Sequence, residues 1–279
     1  MPQPRSRRAA IPALEASMRL CEALFLKPDK AELICLVGGG GKTSTMFSLA
    51  RELKDAGKKV LVTTTTNIAS AEALQADTLI IGQENISAFF PDTAAGAIIC
   101  LAGKKLNHTG KLAGVSRELI DDIYQKRFFD CIIVEADGAK RRPVKAPADY
   151  EPVLPSRATM AIGVVGLDSL RKPITEEHVH RPELFCSIAA KHMGQIIDRS
   201  CIIRLILSKK GLFKDVPAGC RKQVLLNKAD YPFQRKIARL VVHETIQRGG
   251  TSVDGFIIAS IGLGHVYKAW RRSRKWLAV

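Results

Sequence analysis

The sequence predicts an α/β fold in which a mostly parallel sheet is flanked by helices. Short apolar segments of strand length recur along the chain, and segments with helical spacing lie between several of them. Strands that alternate with helices at this pitch are typical of parallel sheets covered on both faces. In addition, the apolar segment at residues 33–37 is followed at once by four glycines and then by a helical pattern.

The apolar pattern places the elements in order along the chain. We expect strands at residues 33–37, 59–65, 78–81, 97–101, 130–135, 160–165, 223–226 and 255–259. We expect helices after the glycines, up to a stop signal at Gly57, and at residues 116–126 and 233–248. The proline-rich segment 136–157 has few periodic positions, which indicates a long functional loop.

The domain organisation follows from these elements. We expect one α/β domain at residues 33–260 with a small, partly helical insert at about 166–222, an N-terminal extension at 1–32 and a basic C-terminal tail at 261–279. With 46% hydrophobic residues, the chain has enough apolar material for a core. Its longest uncharged stretches fall short of the ~18 apolar residues that a membrane span needs, and its N-terminus lacks the apolar stretch of a secretion signal. These features predict a cytoplasmic protein.

Cysteines and charges narrow the function classes further. Seven cysteines without a CxxC spacing argue against a disulfide framework or a zinc ribbon. The net charge is +16, and three, five and four of the cations lie in residues 1–10, in residues 268–279 and at Lys140, Arg141, Arg142 and Lys145. A basic loop beside a phosphate site would favour an anionic substrate. For the aromatic and basic segment 268–276 we favour a solvated helix end over binding to nucleic acid or a membrane.

The strongest functional signal is the glycine loop between the first strand and the first long helix. It consists of Gly38, Gly39, Gly40, Gly41, Lys42, Thr43 and Ser44. Glycines allow backbone N–H groups to converge on a phosphate, so the pattern predicts a P-loop that binds ATP or GTP. Lys42 would reach the terminal phosphates and Thr43 would place its hydroxyl on Mg²⁺. Because Leu36 replaces the first glycine of the GxxxxGK[ST] form, the match is to the shorter GxxGK[ST] form.

Two carboxylates follow the strand at residues 130–135. A strand beside the P-loop strand delivers an acid to Mg²⁺ in proteins of this kind. Glu135 and Asp137 have strand spacing and point the same way if the strand persists. We therefore expect one of the two to serve the metal and take Lys42, Glu135 and Asp137 as candidate catalytic residues. The alternative is that either acid caps the following loop.

Three further segments are candidates for nucleotide or substrate binding. Thr65, Thr66 and Asn67 close the second strand at the carboxyl edge, where ligands of open α/β sheets bind. Asn227, Lys228 and Asp230 have the NKxD form that GTP-binding proteins use on the guanine base. His178, His180 and Arg181 are candidate substrate contacts, since the two histidines share a face in a strand. For the first segment the structural alternative is strand material, and for the second it is a surface turn.

Several segments in combination and order resemble the YqeC family of accessory proteins for selenium-dependent molybdenum hydroxylases. They are LVGGGGKTS, VLVTTTTNI, VEADGAKRRPVKAP, the segment Tyr150 to Pro155, VVGLDSLRKP, HRPELF and LLNKAD. The resemblance implies a P-loop NTPase-like protein of selenium cofactor maturation. It assigns Gly38 to Ser44 to the phosphate site, and Glu135, Asp137, Gly138, Lys140, Lys145, Ala146 and Pro147 to a signature loop. Arg171 stands where the family leads us to expect glycine.

Three functions remain open at this stage. The first is a Mg²⁺-dependent NTPase that couples hydrolysis to cofactor assembly or insertion. The second is a kinase or ligase that acts on a small anion held by Lys140, Arg141, Arg142 and Lys145. The third is a nucleotide-gated scaffold without turnover. The expected partners are a selenium-dependent molybdenum hydroxylase or its cofactor precursor and an anionic small molecule, without specific nucleic acid; a homodimer is left open.

Overall fold

The computed structural model describes residues 18–82, 95–107, 109–249, 252–272 and 276–278. The strands are β1 (Glu32–Gly38), β2 (Val60–Thr64), β3 (Asn67–Ala69), β4 (Thr78–Ile81), β5 (Ile98–Ala102), β6 (Lys105–Leu106), β7 (Lys111–Ala113), β8 (Cys131–Glu135), β9 (Val144–Lys145), β10 (Met160–Gly166), β11 (Val179–His180), β12 (Arg221–Asn227), β13 (Gly255–Ser260), β14 (His265–Arg272) and β15 (Trp276–Ala278). The α-helices are α1 (Leu20–Ala23), α2 (Lys42–Asp55), α3 (Ser70–Ala73), α4 (Arg117–Gln125), α5 (Pro182–Ala189), α6 (Arg199–Leu207) and α7 (Pro232–Gln247).

A twisted main sheet forms the centre of the molecule. Within the described residues its strand order is β15-β14-β13-β12-β10-β1-β8-β2-β5-β4. Every neighbouring pair from β13 to β4 is parallel, and β14 and β15 add antiparallel strands at one edge. The strand that carries the glycine loop, β1, therefore lies between β8 and β10. The carboxyl ends of these strands meet at one edge of the sheet, which is where a ligand site is expected.

Helices cover both faces because the central strands are apolar on both sides. In β1, Ile34 and Leu36 pack into one hydrophobic cluster together with Met46 and Phe47 of α2. The alternate side chains Leu33, Cys35 and Val37 pack on the opposite face with Ile120 and Ile123 of α4. Such continuous burial explains why these strands are uniformly hydrophobic rather than alternating. A third cluster joins β12 to α6 and α7.

The prediction of a mostly parallel α/β sheet is confirmed. All eight predicted strands and the three predicted helices form, with boundaries that differ by no more than two residues. The glycines join β1 directly to α2, as in P-loop nucleoside triphosphatases. Within residues 166–222 the structure has α5 and α6, in keeping with a partly helical insert, while the proposed domain boundaries stay a prediction. Residues 1–17 of the predicted N-terminal extension lie outside the described residues.

The expectation of a solvated helix end at the C-terminus is wrong. Residues 265–272 form β14, which pairs antiparallel with β13. Ala269 and Trp270 are buried in the core, whereas the cations Arg271 and Arg272 are exposed. Pairing with the preceding strand β13 has overridden the local polar character of the segment.

The remaining sequence expectations concern membranes and cysteines. No helix in the described part of the chain combines the length and apolar character needed to cross a membrane. All seven cysteines are free, and Cys35 and Cys131 are buried strand residues.

Candidate functional site

The glycine loop forms a tight turn at the carboxyl edge of the sheet. Gly40 and Gly41 have φ angles of 87° and 115°, in the left-handed region that favours glycine. A Cβ atom on Gly40 would lie 2.3 Å from the backbone nitrogen of Gly166, and one on Gly41 would lie 2.6 Å from Nδ2 of Asn227. The loop therefore accepts only glycine at these two positions. It is also held from outside, since the Gly40 N–H donates to the carbonyl of Arg142 at 3.0 Å.

Lys42 begins α2 and turns its ammonium group back toward the loop. Its Nζ donates to the Gly38 carbonyl at 2.7 Å and lies 3.0 Å from Asp137 Oδ1 and 3.7 Å from Glu135 Oε1. The side chain is buried, and although burial lowers its pKa, the charges of Asp137 and Glu135 raise it above the ordinary value of a lysine. Lys42 is therefore a fixed cation at the mouth of the loop, as phosphate binding requires.

Thr43 and Glu135 meet beside this cation. The Thr43 hydroxyl donates to Glu135 Oε2 at 2.7 Å. Burial raises the pKa of Glu135, while the charge of Lys42 and the hydrogen bond from Thr43 act in the opposite direction. Thr64 at the end of β2 donates to the Glu135 carbonyl at 2.9 Å and fixes the backbone of the acid. The arrangement brings together two oxygen donors of the kind that Mg²⁺ prefers.

Asp137 lies just beyond the end of β8, and each of its oxygens lies beside a cation. Its Oδ1 is buried and accepts no hydrogen bond from the described residues. Oδ2 accepts from the Gly38 N–H at 3.0 Å and lies 3.1 Å from Lys145 Nζ, while Oδ1 faces Lys42. The sequence predicted that Glu135 and Asp137 point the same way if the strand persists, but β8 ends at Glu135, so strand spacing does not relate the two side chains. Both nevertheless approach Lys42. Their surroundings differ, because only Glu135 is also bonded to Thr43.

The four cations predicted to hold an anionic substrate do not form one patch. Lys145 is 1% exposed and its Nζ contacts Asp137, Glu151 Oε2 at 2.6 Å and the Gly138 carbonyl at 2.7 Å. Arg142 donates from Nε to the Glu176 carbonyl at 2.5 Å. Lys140 and Arg141 are exposed, and Arg141 lies 3.8 Å from Glu72. The expectation was wrong for Lys145, because its buried ammonium pairs with the buried acids Asp137 and Glu151.

The NKxD segment follows β12 and contacts the glycine loop directly. Asn227 donates to the Gly40 carbonyl at 2.8 Å and accepts from the N–H of Ile261 at 3.0 Å. Lys228 pairs with Asp168 at 2.7 Å, and Asp230 is exposed. The buried asparagine thus joins the phosphate loop to the end of β13, while the carboxylate of Asp230 faces outward. The guanine assignment stays a prediction.

The other predicted contacts are distributed around this edge. Thr65 donates to the Val153 carbonyl at 2.9 Å, and Thr66 contacts the Thr64 hydroxyl at 3.1 Å. Asn67 is exposed in β3, which pairs with β7. None of these contacts reaches the glycine loop, so the substrate-binding role of the three residues stays a prediction.

The two histidines lie in different surroundings. His178 contacts the Thr175 hydroxyl at 3.1 Å within its own turn. His180 lies in β11, opposite Lys145 of β9. Burial and the positive charges of Arg181 and Lys145 lower the pKa of His180 to about 4. His180 is therefore neutral at physiological pH.

Sequence reasoning missed two acids that organise the site. Glu151 pairs with both Lys145 and Arg181 (Nη1, 2.5 Å), which lowers its pKa against the opposing effect of burial. Asp168 fixes the NKxD lysine. Both acids lie in segments that resemble the family, but neither has a spacing that announces chemistry. The available signal for Glu151 was an acid in the same proline-rich loop as the basic residues from Lys140 to Lys145.

Nucleotide phosphate and Mg²⁺ fit the residues that are present. The glycine turn has no room for side chains, a buried ammonium lies at its mouth, and a hydroxyl and a carboxylate meet beside it. These are the donors that P-loop proteins supply to phosphate and metal. No group of three or more His, Cys, Asp or Glu side chains arranged for a metal ion occurs among the described residues.

Comparisons with known proteins give a sequence family and distant structural likenesses. The family described as "YqeC protein" matches residues 34–183. The chain is 32% identical over 196 residues to "Uncharacterized protein YqeC" of Escherichia coli (strain K12), which covers 70% of this chain and 75% of the relative.

The solved structures that it resembles are more distant. A structure of FtsY from Mycoplasma mycoides matches with 13% identity and a TM-score of 0.38, covering 83% of this chain and 61% of that one. Chloroplast FtsY from Physcomitrella patens matches with 16% identity and a TM-score of 0.31, covering 85% of this chain and 52% of that one. The chain thus spans only about half to three fifths of these FtsY chains. The sequence matches carry the assignment, and by them this chain belongs to the YqeC family.

Proposed function

We propose that this protein is a Mg²⁺-dependent nucleoside triphosphatase that serves selenium cofactor maturation of molybdenum hydroxylases. The convergence of Lys42, Thr43 and Glu135 at the end of a glycine turn carries the nucleotide part of the proposal. The maturation role rests on the resemblance to the YqeC accessory proteins. In this role nucleotide hydrolysis is coupled to the assembly or insertion of the cofactor, in the cytoplasm, with a hydroxylase or its cofactor precursor as partner.

The residues of the chain divide the work of nucleotide binding. The ammonium of Lys42 binds the phosphates. The N–H groups of Gly38, Gly39 and Gly40 donate instead to Asp137, Val164 and Arg142, and they hold the turn in shape. Thr43 and Glu135 hold Mg²⁺, which when bound neutralises charge on the phosphate oxygens. Of the two acids predicted for this role, the geometry favours Glu135, because its carboxylate meets the Thr43 hydroxyl, whereas Asp137 lies between the ammonium groups of Lys42 and Lys145.

The base is bound at the NKxD segment in this proposal. Asn227 links the segment to Gly40, so a base held there would lie beside the phosphate loop. A carboxylate at Asp230 can accept hydrogen bonds from the N1–H and 2-amino group of guanine, an arrangement of donors that adenine lacks. We therefore propose GTP as the preferred nucleotide.

A kinase or ligase remains the second candidate, and one observation favours it. Lys140 and Arg141 are exposed on the loop that contacts Gly40 through the Arg142 carbonyl. Two cations beside a phosphate loop are suited to a small anionic acceptor. Both residues have positive φ angles, 46° and 60°, a strained conformation of the kind that clusters at functional sites.

Phosphate release from ATP and GTP distinguishes these functions. The purified protein is assayed with Mg²⁺, first alone and then with a molybdenum hydroxylase or individual cofactor precursors. Release without any acceptor supports the triphosphatase, and stimulation by the hydroxylase or a precursor supports the maturation role. Strict dependence on a small anion would favour the kinase or ligase. Tight binding without turnover under all conditions would contradict both enzymes and favour a nucleotide-gated scaffold.

A further inference from the structure

A continuous series of charged contacts runs from the phosphate loop to the protein surface. Lys42 lies 3.0 Å from Asp137, Asp137 lies 3.1 Å from Lys145, and Lys145 lies 2.6 Å from Glu151. Glu151 in turn pairs with Arg181 at 2.5 Å. We call these five residues the ion-pair chain. Its members come from α2, from the loops after β8 and β9, from β9 itself and from the start of α5.

The ion-pair chain is buried over most of its length, and its positive and negative charges are balanced there. Lys42, Asp137, Lys145 and Glu151 are 4%, 2%, 1% and 7% exposed, respectively. Two cations therefore offset two anions in the interior. A buried charge without a partner is costly, so removing one member of a buried pair is strongly destabilising. Any step that moves one of these charges must leave the others compensated.

Nucleotide binding is such a step. When the ammonium of Lys42 turns to phosphate oxygens, it gives up part of its contact with Asp137. Asp137 would then be a buried carboxylate that has lost a cation. Lys145 and the Gly38 N–H, at 3.1 and 3.0 Å from Oδ2, remain as its partners.

We propose that Lys145 is a positioning residue: it is the buried counter-ion of Asp137 that allows Lys42 to exchange this carboxylate for nucleotide phosphate. The inference rests on the proposed nucleotide function and deepens it. It gives Lys145 a role opposite to the one expected from sequence, since its ammonium neutralises an internal acid instead of binding substrate.

The other members of the ion-pair chain keep Lys145 in place. Its Nζ also donates to the Gly138 carbonyl at 2.7 Å, so the ammonium is held on three sides. Arg181 pairs with the same Glu151 oxygen and lies with its guanidinium 5.6 Å from the centre of the Tyr150 ring. Glu151 is thus shared between a buried and a half-buried cation, and the Lys145 ammonium is held by Glu151, Asp137 and the Gly138 carbonyl.

The test compares nucleotide affinity in charge-deleted variants. Affinity is measured by the fluorescence of mant-GTP and mant-ATP with Mg²⁺, and folding by thermal unfolding without nucleotide. Lys145→Met should weaken binding by roughly 10- to 100-fold, because Lys42 is then the main cation left to Asp137. The double variant Asp137→Asn/Lys145→Met should recover affinity to within about threefold of Asp137→Asn, since the acid to be neutralised is gone. The matched control is Lys54→Met. Lys54 lies on the same helix as Lys42 and forms an exposed ion pair with Asp77, so this variant should bind nucleotide as the wild type does.

The outcomes separate this inference from the proposed function. Wild-type affinity in Lys145→Met, or failure of the folded double variant to recover affinity, would overturn the role of Lys145 while leaving the nucleotide site intact. If Lys145→Met does not fold, Asp137→Asn alone decides: it should bind nucleotide at least as tightly as the wild type, and a loss like that of Lys42→Ala would overturn the inference. Absence of nucleotide binding by the wild-type protein would overturn both.

Discussion

At the scale of single residues, the site distinguishes two acids that the sequence leaves equivalent. Glu135 faces both Thr43 and Lys42, whereas Asp137 is enclosed by Gly38, Lys42 and Lys145. A metal needs oxygen lone pairs that are not already bonded to cations. We therefore propose different tasks for the two carboxylates, metal binding for Glu135 and internal charge balance for Asp137.

Removal of each carboxylate charge in turn tests this division. Glu135→Gln should abolish most of the Mg²⁺ dependence of nucleotide binding, because an amide is a weaker metal ligand than a carboxylate. Asp137→Asn should keep that dependence. Titration of nucleotide binding with Mg²⁺, followed by EDTA, measures both variants. The division would fail if the two substitutions shifted the Mg²⁺ titration equally.

Base selectivity is a second property of single residues. If the NKxD segment binds guanine, GTP should compete better than ATP in the wild type. Asp230→Asn should reduce this preference by roughly tenfold to a thousandfold, because the variant loses hydrogen bonds to the base. Competition against a fluorescent nucleotide measures the preference. Asp55→Asn, another exposed aspartate at the end of α2, is the control and should change nothing. A wild-type preference for ATP would contradict the assignment of Asp230 but not that of the glycine loop.

His180 gives a pH-dependent prediction. Burial and the adjacent cations lower its pKa from 6.5 to about 4 in the folded protein. Because the unfolded chain then binds the proton more tightly, His180 stabilises the fold above its unfolded pKa, and this contribution is lost as pH falls from about 6.5 toward 4. Urea unfolding at pH 7.5 and 5 should therefore show a smaller pH-dependent loss of stability in His180→Gln than in the wild type. An equal loss in His180→Gln, with the exposed His243→Gln as control, would contradict this role.

At the scale of secondary structure, the junction of β1 and α2 is built by contact with three other strands. Gly166 ends β10, Asn227 ends β12, and Glu135 ends β8. Each of these residues approaches the glycine loop or the first turn of α2. The loop geometry is therefore a product of the sheet edge and not only of its own four glycines.

A pair of glycine substitutions tests this dependence. Gly40 and Gly57 both have positive φ angles, 87° and 76°, but a Cβ on Gly40 would meet the backbone of Gly166 whereas nothing lies within 4 Å of one on Gly57. Gly57→Ala should cost about 1–2 kcal/mol of unfolding free energy from backbone strain alone. Gly40→Ala should cost more and should also abolish nucleotide binding. Equal destabilisation by the two substitutions, measured by urea unfolding, would argue against close packing of the loop on β10.

At the scale of the whole molecule, local patterns predicted the features that depend on neighbouring residues. The buried strands were visible because apolar side chains on both faces leave continuous hydrophobic segments, and the phosphate loop was visible because its glycines, lysine and threonine are contiguous. The ion-pair chain could not be predicted from the sequence, because tertiary packing brings its members together. The strand β14 was hidden for a different reason: its exposed cations Arg271 and Arg272 give the segment a polar character, although it pairs with the preceding strand β13.

The most direct test of the central claim, that the glycine loop binds nucleotide phosphate, is the affinity of Lys42→Ala for mant-GTP and mant-ATP in the presence of Mg²⁺. Lys27→Ala is the control, since Lys27 is an exposed lysine that precedes the amino end of β1. We expect Lys42→Ala to remain folded by circular dichroism and to lose most nucleotide binding, because its ammonium is a point charge for phosphate. Lys27→Ala should bind as the wild type does. Unchanged nucleotide affinity in a folded Lys42→Ala protein would contradict the claim.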